Sequence, residues 1–163
     1  GVRNVALVSE DKPVSLGLVD AYADAFTALG GNITIREVAA EGTVNYTTII
    51  GNVSATNPEL VVYGGEFATA AVFRQQSVTQ GLTVPLMGSD GIKDPAYITG
   101  AGPGSEGDFA SSVGAPAANL PGGPQFLLDY QAAGFAEPPS DFGPYAYDAA
   151  NLIMAAEIGR AHV

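Results

Sequence analysis

The sequence predicts an α/β fold, a doubly wound parallel sheet with helices on both of its faces. Short apolar runs rich in β-branched residues alternate with stretches of helical periodicity, and glycine or Asn-Pro signals end the helices. Strands that alternate with helices in this way pair in parallel through right-handed crossovers. The 163 residues, of which 47% are hydrophobic, are enough for one globular domain or slightly more.

The first strand–helix unit opens the chain. Its strand is expected at residues 2–8 and is followed by a polar loop at residues 9–13. Ser15 is expected to cap the helix, and Gly30 with Gly31 to end it. The buried stripe of this helix is expected to contain Leu18, Tyr22, Phe26 and Leu29.

The same pattern continues through the first half of the chain. Further strands are expected at residues 33–38, 59–63 and 83–87. The first of the two helices between them is expected to be capped by Asn45 and to end at Asn57 and Pro58. The second is expected at residues 66–80, with Gly81 after it.

After Gly91 the strand–helix alternation weakens. A short helix is expected from Asp94 to about Thr99, and residues 107–113 are expected to form one more strand. Residues 115–124, rich in proline and glycine, are interpreted as a linker. Because no strand separates the helices that follow, we interpret them as part of a second domain. These last helices are expected at residues 124–133 and 145–157.

The charge and the composition exclude several classes of function. Seventeen acidic residues against six lysines and arginines give a net charge of −11, which opposes nucleic-acid backbones and anionic lipid surfaces. No apolar run is long enough to span a bilayer, and no signal-peptide leader is recognised. With no cysteine and one histidine, His162 near the chain end, we expect no metal site, no cofactor and no thiol- or histidine-dependent catalysis.

Two patterns that match functional motifs are interpreted as structural. Residues 102–107 have the dinucleotide-binding spacing G-x-G-x-x-G, but they follow a predicted helix and precede a strand-like run, the reverse of the required context. We interpret them as a plain loop. Asn32, Asn45 and Asn52 stand in glycosylation-type sequences, yet asparagine beside a hydroxyl residue is also common at helix caps and turns.

Residues 87–95, Met-Gly-Ser-Asp-Gly-Ile-Lys-Asp-Pro, are the most distinctive of several segments that carry a resemblance to a known family. The other segments lie at residues 5–8, 16–18, 60–65, 73–76, 81–82, 100–107 and 147–151. In this order they resemble the Leu/Ile/Val-binding family, the substrate-binding proteins of branched-chain amino-acid ABC transporters, which have the type I periplasmic-binding (Venus-flytrap) fold. The resemblance extends from residue 1 to about residue 157.

The resemblance implies that the chain is a fragment that mainly covers one lobe of a two-lobed protein. Residues 1–114 correspond to the second lobe. Residues 115–157 correspond to the linker and helices that return to the first lobe, whose sheet is missing from this sequence. Residues 158–163 match one translated frame of a common sequencing adapter, which would make them a non-native tail. The alternative is an ordinary helix end capped by Gly159.

Ligands of open α/β sheets bind beyond the carboxyl ends of the strands, which directs attention to residues 9–15, 64–67 and 88–92. By resemblance, Asp90 pairs with the ammonium group of an amino-acid ligand, and Gly65 and Ser89 belong to the same site. The alternative is that Asp90 only stabilises a Ser-Asp-Gly turn. The groups that bind the ligand carboxylate belong, by the same resemblance, to the first lobe.

Two of the expected ligand-binding positions depart from the family. Glu66 stands where an aromatic residue is usual, and it would either contact a donor of the ligand or serve as an ordinary first-turn helix residue. Val14 stands where the family often has a Tyr-Gly pair, and it offers apolar contact only. Branched-chain specificity is therefore left open.

The sequence and the resemblance together predict a binding protein and not an enzyme. The expected function is the periplasmic or cell-surface substrate-binding component of an ABC importer, which closes two lobes around an amino acid and presents it to a membrane permease. One alternative is the ligand-sensing extracellular domain of a receptor. The other is a flavodoxin-like enzyme, which would show a phosphate loop or a base at a strand end, and neither is visible.

Overall fold

The computed structural model describes residues 1–160, and for the last two of these it describes only the backbone. The chain forms two compact units, an N-terminal unit of Gly1–Ser111 and a C-terminal unit that begins at Ser112. Among the described residues, all strands lie in the N-terminal unit. His162, from which no chemistry is expected, lies outside the described residues.

The N-terminal unit is a parallel sheet flanked by helices, which confirms the predicted fold class. Within the described residues the sheet has five strands in the order β2-β1-β3-β4-β5, all parallel. The strands are β1 (Asn4–Glu10), β2 (Asn32–Ala39), β3 (Leu60–Gly64), β4 (Leu86–Gly88) and β5 (Phe109–Ala110). The helices are α1 (Pro13–Ala28), α2 (Thr47–Ala55), α3 (Phe67–Thr79) and α4 (Pro95–Ala101), with 3-10 turns at Asp90–Ile92 and Gly102–Ser105.

The central strand β1 divides the hydrophobic core into two clusters, one on each face of the sheet. Val5 and Leu7 pack with α1, whereas Ala6 and Val8 pack in the larger cluster that contains residues of α2, α3 and α4. All four side chains are at most 1% exposed. Successive residues of a strand point to opposite faces, so the part of a strand that is buried in the core on both faces must be apolar, as residues 5–8 are.

The start of α1 differs from the sequence prediction. β1 continues through Ser9 and Glu10, both buried, so the polar loop is shorter than residues 9–13. The helix then begins at Pro13, whose fixed backbone angle suits a first helical position. Ser15 is therefore not the cap but a buried residue of the helix, 4% exposed.

The buried face of α1 also differs from the predicted stripe. It is formed by the small side chains of Ser15, Val19 and Ala23. Of the predicted stripe, Tyr22 and Phe26 are half-buried and pack against the same core cluster, whereas Leu29 is 83% exposed and Leu18 is 38% exposed. The reason is close approach to the sheet: a Cβ atom on Gly64 would lie 2.7 Å from the Ser15 carbonyl oxygen, so no large side chain fits along this contact.

Several polar residues take the local structural roles that the sequence predicts. Asn45 Oδ1 accepts a hydrogen bond from the Thr47 amide at 3.0 Å at the start of α2, although Tyr46 and not the predicted Asn45 occupies the N-cap position. Asp94 Oδ1 accepts one from the Ala96 amide at 2.7 Å and so caps α4. The side chains of Asn32 and Asn52 donate to Asn4 Oδ1 and Glu37 Oε1, respectively. The asparagines of the glycosylation-type sequences thus all make structural hydrogen bonds.

A buried ion pair between Arg74 of α3 and Asp108 fastens α3 to the loops around β4. The guanidinium lies 3.0 Å from Asp108 Oδ1, and each side chain is 4% exposed. The other guanidinium nitrogens donate to the backbone carbonyls of Val84 and Gly104, each at 2.8 Å. Gly104 belongs to the G-x-G-x-x-G segment, which therefore has a structural role as an acceptor.

The Asp108 carboxylate extends this network to β4 and α4. It accepts hydrogen bonds from the Leu86 amide at 2.7 Å and from the Tyr97 hydroxyl at 2.6 Å. Burial, and next the hydrogen bond to Asp108, raise the pKa of Tyr97, which therefore stays neutral. Nothing in the local sequence pattern indicates these contacts, because the partners are far apart along the chain.

The C-terminal unit contains a 3-10 turn at Ala117–Asn119 and the helices α5 (Gly123–Ala132) and α6 (Gly143–Arg160). Phe126 packs against Tyr130 and Tyr147, with ring centroids 5.9 and 5.7 Å apart. Large apolar side chains of α6 are exposed, including Leu152 at 72% and Ile153 at 65%. The assignment of these helices to another lobe stays a prediction.

Helix α6 continues past the position at which the sequence allows a glycine cap. Gly159 lies within the helix, which extends to Arg160, so it is not a C-cap. The sequencing-adapter interpretation of residues 158–163 stays a prediction, and residues 161–163 lie outside the described part of the chain. No helix in residues 1–160 combines the length and apolarity of a membrane span.

Candidate ligand-binding site

The carboxyl ends of β1, β3 and β4 lie side by side at one edge of the sheet. In the parallel register, Ser9 of β1 pairs with Gly64 of β3, and Tyr63 pairs with Gly88 of β4. The chain therefore leaves the three strands at about the same level. The loops that follow them form the edge at which open α/β sheets bind ligands.

Glu10, the last residue of β1, joins two of these loops through its carboxylate. Oε1 accepts hydrogen bonds from the Glu66 amide at 3.1 Å and from the Thr69 hydroxyl, both at the start of α3. Oε2 forms an ion pair with Lys12 Nζ at 2.7 Å. The first amides of a helix lack intrahelical partners, so this carboxylate serves as a cap supplied by a neighbouring strand.

The electrostatics of Glu10 follow from these contacts. Burial alone would raise the pKa of its carboxyl group, but the hydrogen bonds from Lys12, Thr69 and the Glu66 amide outweigh burial and lower it. Glu10 is only 4% exposed and ionised at neutral pH. A buried carboxylate of this kind is stable only because every part of it has a donor or a counter-ion.

Glycine at positions 65 and 91 allows the loops to approach one another. A Cβ atom on Gly65 would lie 2.6 Å from Glu10 Oε1 and 2.6 Å from the Tyr63 ring. A Cβ atom on Gly91 would lie 2.9 Å from the Gly65 carbonyl oxygen. The loop after β3 is therefore packed between Glu10 on one side and the loop after β4 on the other.

Asp90 lies in a turn that other residues hold in place. It begins the 3-10 turn Asp90–Ile92, and its side chain is half-buried. Ser89 Oγ accepts a hydrogen bond from the Gly91 amide at 3.3 Å, so Ser89 supplies a bond that stabilises the turn. Ile92, 2% exposed, anchors the turn in the core beneath Gly88.

The structure brings four of the five predicted site residues to this edge. Gly65 and Glu66 lie in the loop after β3, whose Gly65 carbonyl contacts the turn that contains Ser89 and Asp90. The Glu66 side chain is exposed and does not cap α3. Val14 lies in the first turn of α1 and is 77% exposed. It is near the other four residues only because α1 begins shortly after the carboxyl end of β1.

Two tyrosines lie buried beneath Glu10 and Thr69. The hydroxyl groups of Tyr46 and Tyr63 are 3.3 Å apart, and both side chains are at most 1% exposed. Burial is the main cause that raises the pKa of Tyr63, so this phenol is neutral at physiological pH. The floor of the site is buried and uncharged, and the Glu10 carboxylate lies above it.

Glu10 is the candidate residue that the sequence-based reasoning missed. The sequence assigns it to a polar loop, because Ser9 and Glu10 interrupt the apolar run of β1. In the structure these residues extend the strand, and their partners come from α3, which is distant in sequence. The only local signal is the Lys12 two positions later, which supplies the counter-ion.

The described residues offer no site for a metal ion or a dinucleotide. Among them, no group of three His, Cys, Asp or Glu side chains is arranged to hold a metal. The G-x-G-x-x-G segment follows α4, forms the 3-10 turn Gly102–Ser105 and precedes β5, so it does not open a helix as a dinucleotide loop does.

Comparison with known proteins identifies the family. A family model described as periplasmic binding protein matches residues 1–157. The chain belongs to the periplasmic binding protein family. Among curated relatives, an amino acid binding protein of Pseudomonas aeruginosa is 26% identical over 155 residues, which are 94% of this chain and 41% of that protein. The Leu/Ile/Val-binding protein homolog 1 of Brucella melitensis is 26% identical over 93% of this chain and 40% of its own length.

A solved structure supports the same fold. The crystal structure of a leucine binding protein from Thermotoga maritima superposes with a TM-score of 0.87, at 24% identity, over 99% of this chain and 46% of that one. The periplasmic binding protein chain described here thus spans about two fifths of the length of the curated relatives it matches. These matches confirm the resemblance to the Leu/Ile/Val-binding proteins.

Family membership also decides the class of activity. Periplasmic binding proteins bind solutes and are not enzymes, which confirms the prediction that this chain is not an enzyme. The family name agrees with an extracytoplasmic location. The carboxyl edge of the sheet is accordingly the candidate binding surface of the N-terminal unit.

Proposed function

We propose that the chain is part of the substrate-binding component of an ABC importer, which holds an amino acid between two lobes that close by a hinge motion. The family and the names of its relatives, an amino acid binding protein and a Leu/Ile/Val-binding protein homolog, support this function. The N-terminal unit supplies one of the two binding surfaces, and a lobe outside this sequence supplies the other.

The observation that carries the proposal is Asp90, a half-buried carboxylate on an anchored turn at the carboxyl edge of the sheet. An α-amino acid enclosed between two lobes loses the water around its ammonium group. That charge must then be paired, because an isolated buried charge costs several kcal/mol. Asp90 supplies the negative charge, and the backbone at Gly65 and Ser89 shapes the surface around it.

Glu66 and Val14 bear on which amino acid is bound. Val14 presents an exposed apolar side chain, which suits an aliphatic ligand. Glu66 adds an exposed carboxylate at the start of α3, where it contacts a donor group of a more polar ligand. The ligand class is therefore an amino acid of the branched-chain type or a related small polar molecule, and its carboxylate binds to the other lobe.

In this function the partner is a membrane permease, to which the closed, loaded form is presented. The protein works outside the cytoplasm, in the periplasm or at the cell surface, as a free or lipid-anchored protein. The net charge of −11 argues against binding to nucleic acids or to anionic lipid.

Calorimetric titration of the complete two-lobed protein tests the proposal. L-leucine, L-isoleucine, L-valine and a panel of polar amino acids are titrated into the wild type, Asp90→Ala and Asp24→Ala. Asp24 is an exposed carboxylate of α1 and serves as the matched control. Loss of the ammonium partner should cost about 3–5 kcal/mol, which weakens binding by about a hundredfold to several-thousandfold.

The outcomes separate the two roles considered for Asp90. A loss of less than about fivefold in Asp90→Ala would mean that Asp90 is a turn residue and does not contact the ligand. Failure of the wild type to bind any amino acid would contradict the proposed function as a whole. An unchanged affinity in Asp24→Ala excludes a general effect of removing one negative charge.

A further inference from the structure

We propose that Glu10 is a positioning residue of the ligand site: its carboxylate fixes the loop after β3, and through that loop the turn of Asp90, without touching the ligand. This inference rests on the proposed function. Glu10 lies at the end of β1 and is 4% exposed, so it is enclosed by protein and not presented to a ligand.

The contacts of Glu10 hold three separate segments together. One oxygen accepts hydrogen bonds from the Glu66 amide at 3.1 Å and from the Thr69 hydroxyl. The other oxygen pairs with Lys12 at 2.7 Å, in the loop between β1 and α1. One side chain thereby fixes the start of α3 relative to the end of β1 and the start of α1.

The same carboxylate defines where the backbone of Gly65 lies. A Cβ atom at position 65 would lie 2.6 Å from Glu10 Oε1, so only glycine fits there without a shift of Glu10. The peptide between Gly65 and Glu66 therefore rests directly on the carboxylate and donates a hydrogen bond to it. Movement of this peptide requires movement of Glu10, which the ion pair with Lys12 resists.

Gly65 is in turn in contact with the turn of Asp90 and restricts its position. The Gly65 carbonyl oxygen would lie 2.9 Å from a Cβ atom on Gly91, so the two loops are in direct contact. Gly91 follows Asp90 and donates its amide to Ser89 within the same turn. A binding group held by such a supporting contact keeps its geometry, whereas a loss of support of about 1 Å is enough to impair a site.

Glu59 provides a control because its carboxylate, although exposed, also accepts hydrogen bonds from the backbone at a different place. Glu59 Oε2 accepts hydrogen bonds from the amides of Arg3 and Asn4, at 2.7 and 2.8 Å. Glu59 precedes β3 and Asn4 begins β1, so these contacts lie at the amino ends of the strands, opposite the candidate site. Removing Glu59 deprives two donors of their acceptor, and removing Glu10 deprives the Glu66 amide, the Thr69 hydroxyl and Lys12 of theirs, but only Glu10 supports the site.

The experiment compares the affinity of the two-lobed protein for L-leucine, or for the panel amino acid that the wild type binds best, in four proteins. These are the wild type, Glu10→Ala, Glu10→Gln and Glu59→Ala, titrated at a temperature at which all are folded. Glu10→Ala should bind at least about tenfold more weakly. Glu10→Gln keeps an oxygen for the Glu66 amide but loses the ion pair with Lys12, so its affinity should lie between those of the wild type and Glu10→Ala. Glu59→Ala should stay within about threefold of the wild type.

Amide hydrogen exchange in the same proteins gives a second readout. Protection of the Glu66 and Gly91 amides should fall in Glu10→Ala and be retained in Glu59→Ala, because local opening exposes only the loops that lose support. If Glu10→Ala does not fold, Glu10→Asp replaces it. The aspartate keeps the charge but is one methylene too short to reach α3, and the same loss of affinity is expected.

The outcomes distinguish this inference from the proposed function. A wild type that binds an amino acid, with Glu10→Ala equal to it, would overturn the role of Glu10 and leave the proposed function intact. Equal losses in Glu10→Ala and Glu59→Ala would also overturn it, because they would reflect general destabilisation. A wild type that binds no amino acid would overturn both.

Discussion

Replacement of Arg74 by methionine is expected to destabilise the N-terminal unit strongly. Methionine approximates the length and apolar stem of arginine but has no N–H groups. The variant therefore removes the ion pair with Asp108 and both hydrogen bonds to the carbonyls of Val84 and Gly104. Asp108 keeps its bonds from the Leu86 amide and the Tyr97 hydroxyl, but its charge is left without a counter-ion.

The structure sets the size of the effect through burial. Both members of the pair are 4% exposed, so water cannot replace the lost guanidinium. Breaking a buried pair by removal of one partner costs about 3–5 kcal/mol. The free energy of unfolding of a whole domain is about 5–15 kcal/mol, so this single change removes a large share of it.

Urea unfolding of the chain, followed by circular dichroism, measures the loss. With a slope of about 1–3 kcal/mol per molar urea, the midpoint of Arg74→Met should fall by about 1 M or more. The matched control is Arg36→Met. Arg36 also pairs with an aspartate, Asp20, but the two side chains are 50% and 63% exposed, and such a pair contributes about 0–1 kcal/mol.

Equal shifts of the urea midpoint in the two variants would refute this reasoning, because burial would then not determine the cost of breaking the pair. If Arg74→Met does not fold, Asp108→Asn supplies the same comparison. The asparagine keeps the shape and an acceptor oxygen, but leaves the Arg74 charge unpaired. Its midpoint should also fall further than that of Arg36→Met.

Three further predictions follow from other contacts. Gly64→Ala should lower the free energy of unfolding by about 1–3 kcal/mol, because the new Cβ atom meets the Ser15 carbonyl oxygen at 2.7 Å. A Cβ atom added at Gly51, in α2, would meet nothing within 4 Å, so Gly51→Ala should instead raise the free energy of unfolding by up to about 1 kcal/mol. Urea unfolding should therefore show changes of opposite sign in the two variants, and changes of the same sign would contradict this prediction. The pKa of Glu10 is lowered in the folded state, so its stabilising effect is present above the usual value of 4.5 and is lost as the pH falls through the folded-state pKa. Between about pH 5 and 3, the free energy of unfolding should therefore fall more steeply with decreasing pH in the wild type than in Glu10→Gln. Equal slopes of this free energy against pH would rule out the contribution of Glu10. The 163-residue chain alone should show no calorimetric binding of L-leucine at micromolar concentration, because one exposed ion pair contributes only about 0–1 kcal/mol; micromolar affinity would indicate a self-sufficient single-lobe binder.

The order of strands and helices in the N-terminal unit could be predicted because it depends on periodicity within short segments. The apolar run of β3 and the capping residue Asp94 of α4 each carry their signal locally. The buried face of α1 could not be predicted in the same way. Hydrophobicity favours Leu18 and Leu29, but the close contact between Ser15 and Gly64 decides which side faces the sheet.

The location of the candidate site was also accessible from the sequence. Parallel strands place their carboxyl ends together, so the segments after β1, β3 and β4 had to meet. The contacts within the site were not accessible. Glu10 and Thr69 are 59 positions apart, and a carboxylate at a strand end looks like a loop residue until its partner on α3 is known.

The different environments of Asp90 and Glu10 fit the two roles proposed for them, ligand contact for Asp90 and positioning for Glu10. Glu10 is fully paired by its own lobe, so its charge is satisfied whether or not a ligand is present. Asp90 is half-buried, and water solvates it in the open protein. In the proposed mechanism a second lobe removes that water, and pairing with an ammonium group then becomes favourable, since the attraction between two charges strengthens as the local dielectric falls. Affinity in this mechanism arises from closure of the two lobes. Because Glu10 holds the turn of Asp90 in place before the ligand binds, binding does not cost the conformational entropy of ordering that turn.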